Sequence, residues 1–218
     1  MSGIVQISPE ELFFLGKHMR ARYIDYDYVR SMKDIQQQYT LREKEILAGL
    51  VKRGLLTEDF SGDMELNEEV KSLLKPSFFG EFVSEVILLM DREKGEPEQY
   101  KFHFLEGKIV RVQLKGDQLI FQADGEGELE RLKNIVIPED YQGNPSEISL
   151  DGMEKDKLDG WMTLKNLRIR KEANVVQFVK IDGTWYCGED DKLSRGRLID
   201  EMKHCWKQVM REVPYGLL

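Results

Sequence analysis

The spacing of apolar residues changes near Pro76, and the change divides the chain into a helical opening and a run of strands. Before it, apolar positions recur at steps of three and four, the spacing that lines one face of a helix. Ser8-Pro9-Glu10-Glu11 opens the first helix. Ser8 can cap the amide of Glu11, Glu11 can reach back to Ser8, and Pro9 sits in the first turn, where its missing N–H costs nothing. Ile7 and Leu12 flank the cap as a hydrophobic staple, and the helix is predicted to reach about Arg20 with Leu12, Leu15 and Met19 buried. A second helix is predicted over Tyr26 to Gln37. A third starts at the capping box Thr40-Leu41-Arg42-Glu43 and turns Leu41, Ile46, Leu47, Leu50 and Val51 mostly to one side. It ends at Lys52-Arg53, with Gly54 able to take the left-handed position beyond the last turn. Asn67-Glu68-Glu69 caps a short fourth helix that Pro76 is predicted to stop.

Past Pro76 the period falls to two. Phe82 to Met90 is apolar on both sides, as in a strand covered on two faces. Tyr100, Phe102 and Phe104 alternate with Lys101 and His103; Glu106-Gly107 turns into Val110, Val112 and Leu114; Lys115-Gly116-Asp117 turns into Leu119, Phe121 and Ala123. This pattern predicts a meander with one face on a core and one facing water. Glu126 to Asn134 reads as helix, and 137–149, with Pro138, Gly143 and Pro145, as a loop and the one candidate seam. Strands are predicted again at Leu167 to Arg170, at Val175 to Ile181 and, after an Asp182-Gly183 turn, at Trp185 to Cys187. Leu198, Met202, Cys205, Trp206, Val209 and Val213 then follow helical spacing up to Pro214. The sum is an α+β fold: a central, mostly antiparallel sheet flanked by helices, in a single domain over 1–218.

Composition narrows the function. At 218 residues, 41% hydrophobic, the chain can bury a sizeable core. Its formal charge of −8 denies it the positive field that non-specific binding to nucleic acid or anionic lipid requires. The opening Met1-Ser2-Gly3-Ile4-Val5-Gln6 shows no secretory signal, and the longest unbroken apolar run, Val86 to Met90, is too short to cross a bilayer. Cys187 and Cys205 make no disulfide framework and read as reduced thiols, so the protein is expected in the cytoplasm.

No candidate chemistry survives its structural alternative. The histidines, His18, His103 and His204, lack companions at metal-ligand spacing, and His204 points about 100° away from Cys205 on a helix. Cys187 and Cys205 stand at apolar-rich positions that suit buried small residues. Asp124-Gly125-Glu126-Gly127-Glu128 carries three acids that would repel phosphate. Glu189-Asp190-Asp191 lacks the ligand alternation of a calcium loop and reads as a solvated turn before the last helix. No catalytic residue, metal or cofactor is assigned, and the protein is expected not to be an enzyme. The rival reading is a DNA-binding regulator of winged-helix type. Leu50-Val51-Lys52-Arg53-Gly54-Leu55-Leu56 resembles the stretch leading into a wing, but Glu58, Asp59, Asp63, Glu65, Glu68 and Glu69 follow with no Lys or Arg before Lys71.

Three stretches resemble the EspG family, the cytosolic chaperones of type VII (ESX) secretion systems, and its Gram-positive relatives. They are Ile7-Ser8-Pro9-Glu10-Glu11-Leu12-Phe13-Phe14-Leu15; Leu50 to Leu56 with Glu68-Glu69-Val70 and Leu73-Leu74-Lys75-Pro76; and Val176-Gln177-Phe178-Val179-Lys180-Ile181-Asp182-Gly183. The resemblance implies a sheet flanked by helices, built as two related halves. It also implies a helical secreted partner, held soluble and delivered for export. A holding chaperone needs an exposed apolar surface and no reactive group, and some of the nine methionines could supply adaptable contacts. The partner-binding surface is assigned to the charged loop Glu93 to Glu98, chiefly Lys94, Gly95, Glu96 and Pro97, and to the last helix and tail through Met210 and Tyr215.

Overall fold

A capping box sets the first helix, as its sequence requires. In the computed structural model Ser8 Oγ accepts the Glu11 N–H at 3.2 Å, and Glu11 Oε2 accepts the Ser8 N–H at 2.9 Å. The structure describes residues 3–32, 35–80, 82–91, 93, 95–136, 147–149, 158–168, 174–189 and 192–194. In chain order the elements are β1 (Ile4–Ile7), α1 (Pro9–His18), α2 (Tyr26–Val29), a 3₁₀ turn (Arg30–Met32), α3 (Ile35–Lys52), β2 (Leu56–Glu58), β3 (Met64–Leu66), α4 (Glu68–Phe79) and β4 (Phe82–Leu89). There follow β5 (Glu98–Leu105), β6 (Lys108–Lys115), β7 (Gln118–Gln122), α5 (Gly125–Val136), β8 (Glu147–Ser149), β9 (Gly160–Arg168), β10 (Asn174–Ile181), β11 (Thr184–Glu189) and β12 (Lys192–Ser194). The fold is α+β, with large antiparallel sheet structure flanked by helices, as expected.

The chain divides into two compact units, Met1–Gly80 with His103–Asp124, and Glu81–Phe102 with Gly125–Leu218. In the first, β1 pairs with β7 from Ile4↔Gln122 to Ile7↔Leu119, and β7 pairs with β6 from Arg111↔Gln122 to Lys115↔Gln118. Alternation along these strands turns Val5, Ile7, Val110, Val112, Leu119 and Phe121 into one core with Leu12, Leu15, Leu50, Leu74 and Phe78 of the helices. Exposed Arg42 and Arg53 of the α3 region reach Glu10 and Glu11 of α1, each at 2.8 Å.

In the second unit β4 pairs with β9 from Phe82↔Arg168 to Leu89↔Trp161, β9 with β10, β10 with β11, β11 with β12, and β12 with β8, all antiparallel. Buried Val86, Leu88, Phe102, Met162, Leu164 and Phe178 come from the strands, and Leu129, Leu132 and Val136 from one face of α5. Asp182-Gly183 has both residues at positive φ (49° and 75°), as has Glu106-Gly107 (49° and 77°). Both are the two-residue hairpins read from the sequence, and the positive φ matches the right-handed strand twist.

Several expectations need correction. The stretch 26–37 is not one helix: a single turn capped by Asp25 tightens into the 3₁₀ turn, and α3 starts at Ile35. Thr40 therefore lies inside α3 and not at its start, because Gln36-Gln37-Gln38 are good helix formers that extend the helix backward. Val51, assigned to the buried side, is exposed. Pro76 does not stop α4, which continues to Phe79; the proline removes one N–H, and burial of Leu74, Pro76 and Phe78 outweighs that loss. β5 does not have a wet face, since Lys101 and His103 are as buried as the aromatics between them. α2 packs over His103, which is why alternation misled. β1 was not foreseen. β9 starts at Gly160 rather than Leu167, β8 occupies the end of the predicted loop, and β12 follows the acidic turn. The predicted C-terminal helix lies outside the described residues.

Candidate protein-interaction surfaces

Of the candidate histidines and cysteines, His18, His103 and Cys187 lie among the described residues. His103, fully buried, shares a 2.7 Å hydrogen bond between its Nε2 and Tyr28 Oη, and the two rings are tilted 55° at 5.7 Å. Cys187 is a buried free thiol. His18 is exposed at the end of α1. Among the described residues no three His, Cys, Asp or Glu side chains are grouped to hold a metal ion. Gly125 begins α5, so the glycines at 125 and 127 serve a helix start. His204 and Cys205 lie outside the described residues.

Of the residues assigned to partner binding, Gly95, Glu96 and Pro97 are exposed in the connection between β4 and β5, and Lys94, Met210 and Tyr215 lie outside the described residues. The base of this connection is ordered by short polar contacts. The Glu93 N–H bonds the Asp91 carboxylate at 3.0 Å, Gln99 Nε2 bonds Glu85 Oε1 at 2.6 Å across the strands, and the Tyr100 hydroxyl donates to Glu98. Met90 stands beside it, half exposed. The Arg131 guanidinium of α5 has its pKa raised, first by its hydrogen bond to Glu128 and then by the Glu128 charge, so it stays cationic throughout. The loop thus offers backbone, a proline with fixed φ and mostly anionic side chains, a set suited to contact with another polypeptide.

A second projecting feature escaped sequence reasoning. The hairpin formed by β2 and β3 pairs Leu56↔Leu66 and Glu58↔Met64 and carries Phe60, fully exposed, at its tip. The signal was an aromatic residue inside a run of turn formers, Asp59-Phe60-Ser61-Gly62-Asp63. At the hairpin's foot a cleft of about 290 Å³ is lined by His18 and Met19 of the α1 end, Met64 and Glu65 of β3, and Glu68 and Lys71 of α4.

No family model matches the chain, and no curated protein sequence matches it significantly. Among solved structures, the Mycobacterium tuberculosis type VII secretion system chaperone EspG5, in complex with the PE25–PPE41 dimer, is similar in fold. The match has a TM-score of 0.58 at 10% identity and covers 98% of this chain and 98% of that one. At that identity the likeness is one of fold.

Proposed function

We propose that this protein is a non-enzymatic cytoplasmic chaperone or adaptor that binds a helical secreted partner of a type VII secretion system and keeps it soluble for export. The observation that carries this reading is the fold-level match over 98% of both chains to a chaperone determined with its bound protein dimer. The exposed β4–β5 connection, with Met90 beside it, supports the reading as a surface for protein contact. No helix among the described residues is long and apolar enough to cross a membrane.

The test is affinity capture of the full chain from its native cell, with mass spectrometry of what is retained. Recovery of a helical secreted protein, reduced when Glu96-Pro97 is replaced by Gly-Ser, is expected. Recovery of no such protein overturns the reading.

The winged-helix alternative has the right order of elements, since a hairpin does follow α3. Its strands and turn, however, bear Glu58, Asp59, Asp63 and Glu65, a charge that DNA phosphates repel.

A further inference from the structure

We propose that the β2–β3 hairpin is a docking element that inserts Phe60 into an apolar socket rimmed by Lys or Arg on a partner protein. Phe60 has a relative exposure of 114%, more than an extended chain would give it. An aromatic ring held wholly in water forgoes the free energy that burial would return. Its support is a hydrogen-bonded turn. The Asp59 carboxylate accepts the Ser61 N–H at 2.8 Å, the Ser61 hydroxyl at 2.7 Å and the Asp63 N–H at 2.8 Å, and the Asp59 N–H bonds the Asp63 carbonyl at 2.8 Å. A ring presented on an ordered tip loses little conformational entropy when it is buried.

Charge selects the partner. From 54 to 70 the chain has no cation, while Glu58, Asp59, Asp63, Glu65, Glu68 and Glu69 are all anionic. Lys71, the next cation, bonds Glu68 at 2.6 Å. Such a surface repels an anionic bilayer, nucleic acid and the same hairpin of a second copy, and it attracts a cationic protein face. The Met-lined cleft at the hairpin's foot can receive a side chain from that face, with Glu65 and Glu68 at its margin. The inference goes beyond the chaperone reading, because any cationic protein partner satisfies it.

The test places the photoreactive analogue p-benzoylphenylalanine at position 60 of the full chain in its native cell, with the same analogue at exposed Lys115 as control. The expected adduct maps to a partner segment in which apolar residues are flanked by Lys or Arg. With the purified pair, Phe60→Ala should then weaken binding by about tenfold or more, Phe60→Leu should retain most of it, and added salt should weaken it further. The Ala variant must show the wild-type thermal transition, as expected for an exposed side chain. Four results overturn the proposal: no adduct above the control, an adduct to lipid, an adduct to a second copy of this chain, or affinity of Phe60→Ala within twofold of wild type. A partner that is not a secreted protein supports the docking element and counts only against the chaperone reading.

Discussion

At the scale of single residues, stability concentrates where a side chain satisfies a buried neighbour or where the backbone leaves no room. Tyr28→Phe keeps the ring edge-on to Phe121, 6.5 Å away at 70°, and deletes the hydroxyl that bonds His103. It should cost about 1–2 kcal/mol in urea unfolding, more than an exposed tyrosine would. Arg20 shows the opposite sign. It closes α1 at a φ of 54°, where the Arg20 N–H bonds the Lys17 carbonyl and the Ala21 N–H bonds the Gly16 carbonyl. This is the left-handed end that glycine prefers, so Arg20→Gly should stabilise by about 0.5–1 kcal/mol and raise Tm by a few degrees. Gly160→Ala should be poorly tolerated, because a Cβ there would lie 2.5 Å from the Leu89 carbonyl oxygen of the paired strand. A loss of about 1–3 kcal/mol is expected from overpacking. None of these three positions announced itself in the sequence. His103 and Tyr28 are 75 residues apart, and only the packing of α2 on β5 brings them together.

Elements were most legible where their signals are local. The Ser8 capping box, the Asn67 cap, the left-handed Gly54 (φ 70°) and the two-residue turns at 106–107 and 182–183 all stand as the residues predict. Removing the first, by Ser8→Ala, should destabilise by about 1 kcal/mol and lower Tm by about 2–4 °C in a thermal scan. What was illegible depends on distant contacts. β1 is four residues whose strand character comes from β7, more than a hundred positions later, and His103 reads as solvated until α2 covers it. The β2–β3 hairpin has a pH dependence of defined sign. Hydrogen bonds from the Ser61 side chain and the Asp63 backbone hold the Asp59 carboxyl below its ordinary value. The stabilisation these bonds give the tip is thus fully present above the ordinary aspartate range and is lost as pH falls through the lower value of the folded hairpin. Amide shifts of Ser61 and Asp63 should titrate below the usual aspartate range, and Asp59→Asn should abolish that titration; a midpoint at or above 3.9 would contradict it.

For the whole molecule, the α+β class was readable because composition and period are global properties. The full exposure of Phe60 was not, since it is decided by what fails to pack on that residue. A net charge of −8 nonetheless makes one firm prediction at this scale. Duplex DNA should show no mobility shift with the protein even at about 50 mM salt, where phosphate contacts are strongest. Retardation that fades steeply with salt would restore the winged-helix reading.

The interleaving of the two units bears on how the chain is made. Helices of 1–80 complete their core on β6 and β7, which end at Gln122, so no single cut releases the first unit intact. On a ribosome adding about 5–20 residues per second, those strands are complete roughly 2–8 s after Gly80. Through that interval Leu12, Leu15, Leu50, Leu74 and Phe78 lack the sheet side of their core, and the apolar surface left open exposes the nascent polypeptide to aggregation of the kind a holding chaperone prevents.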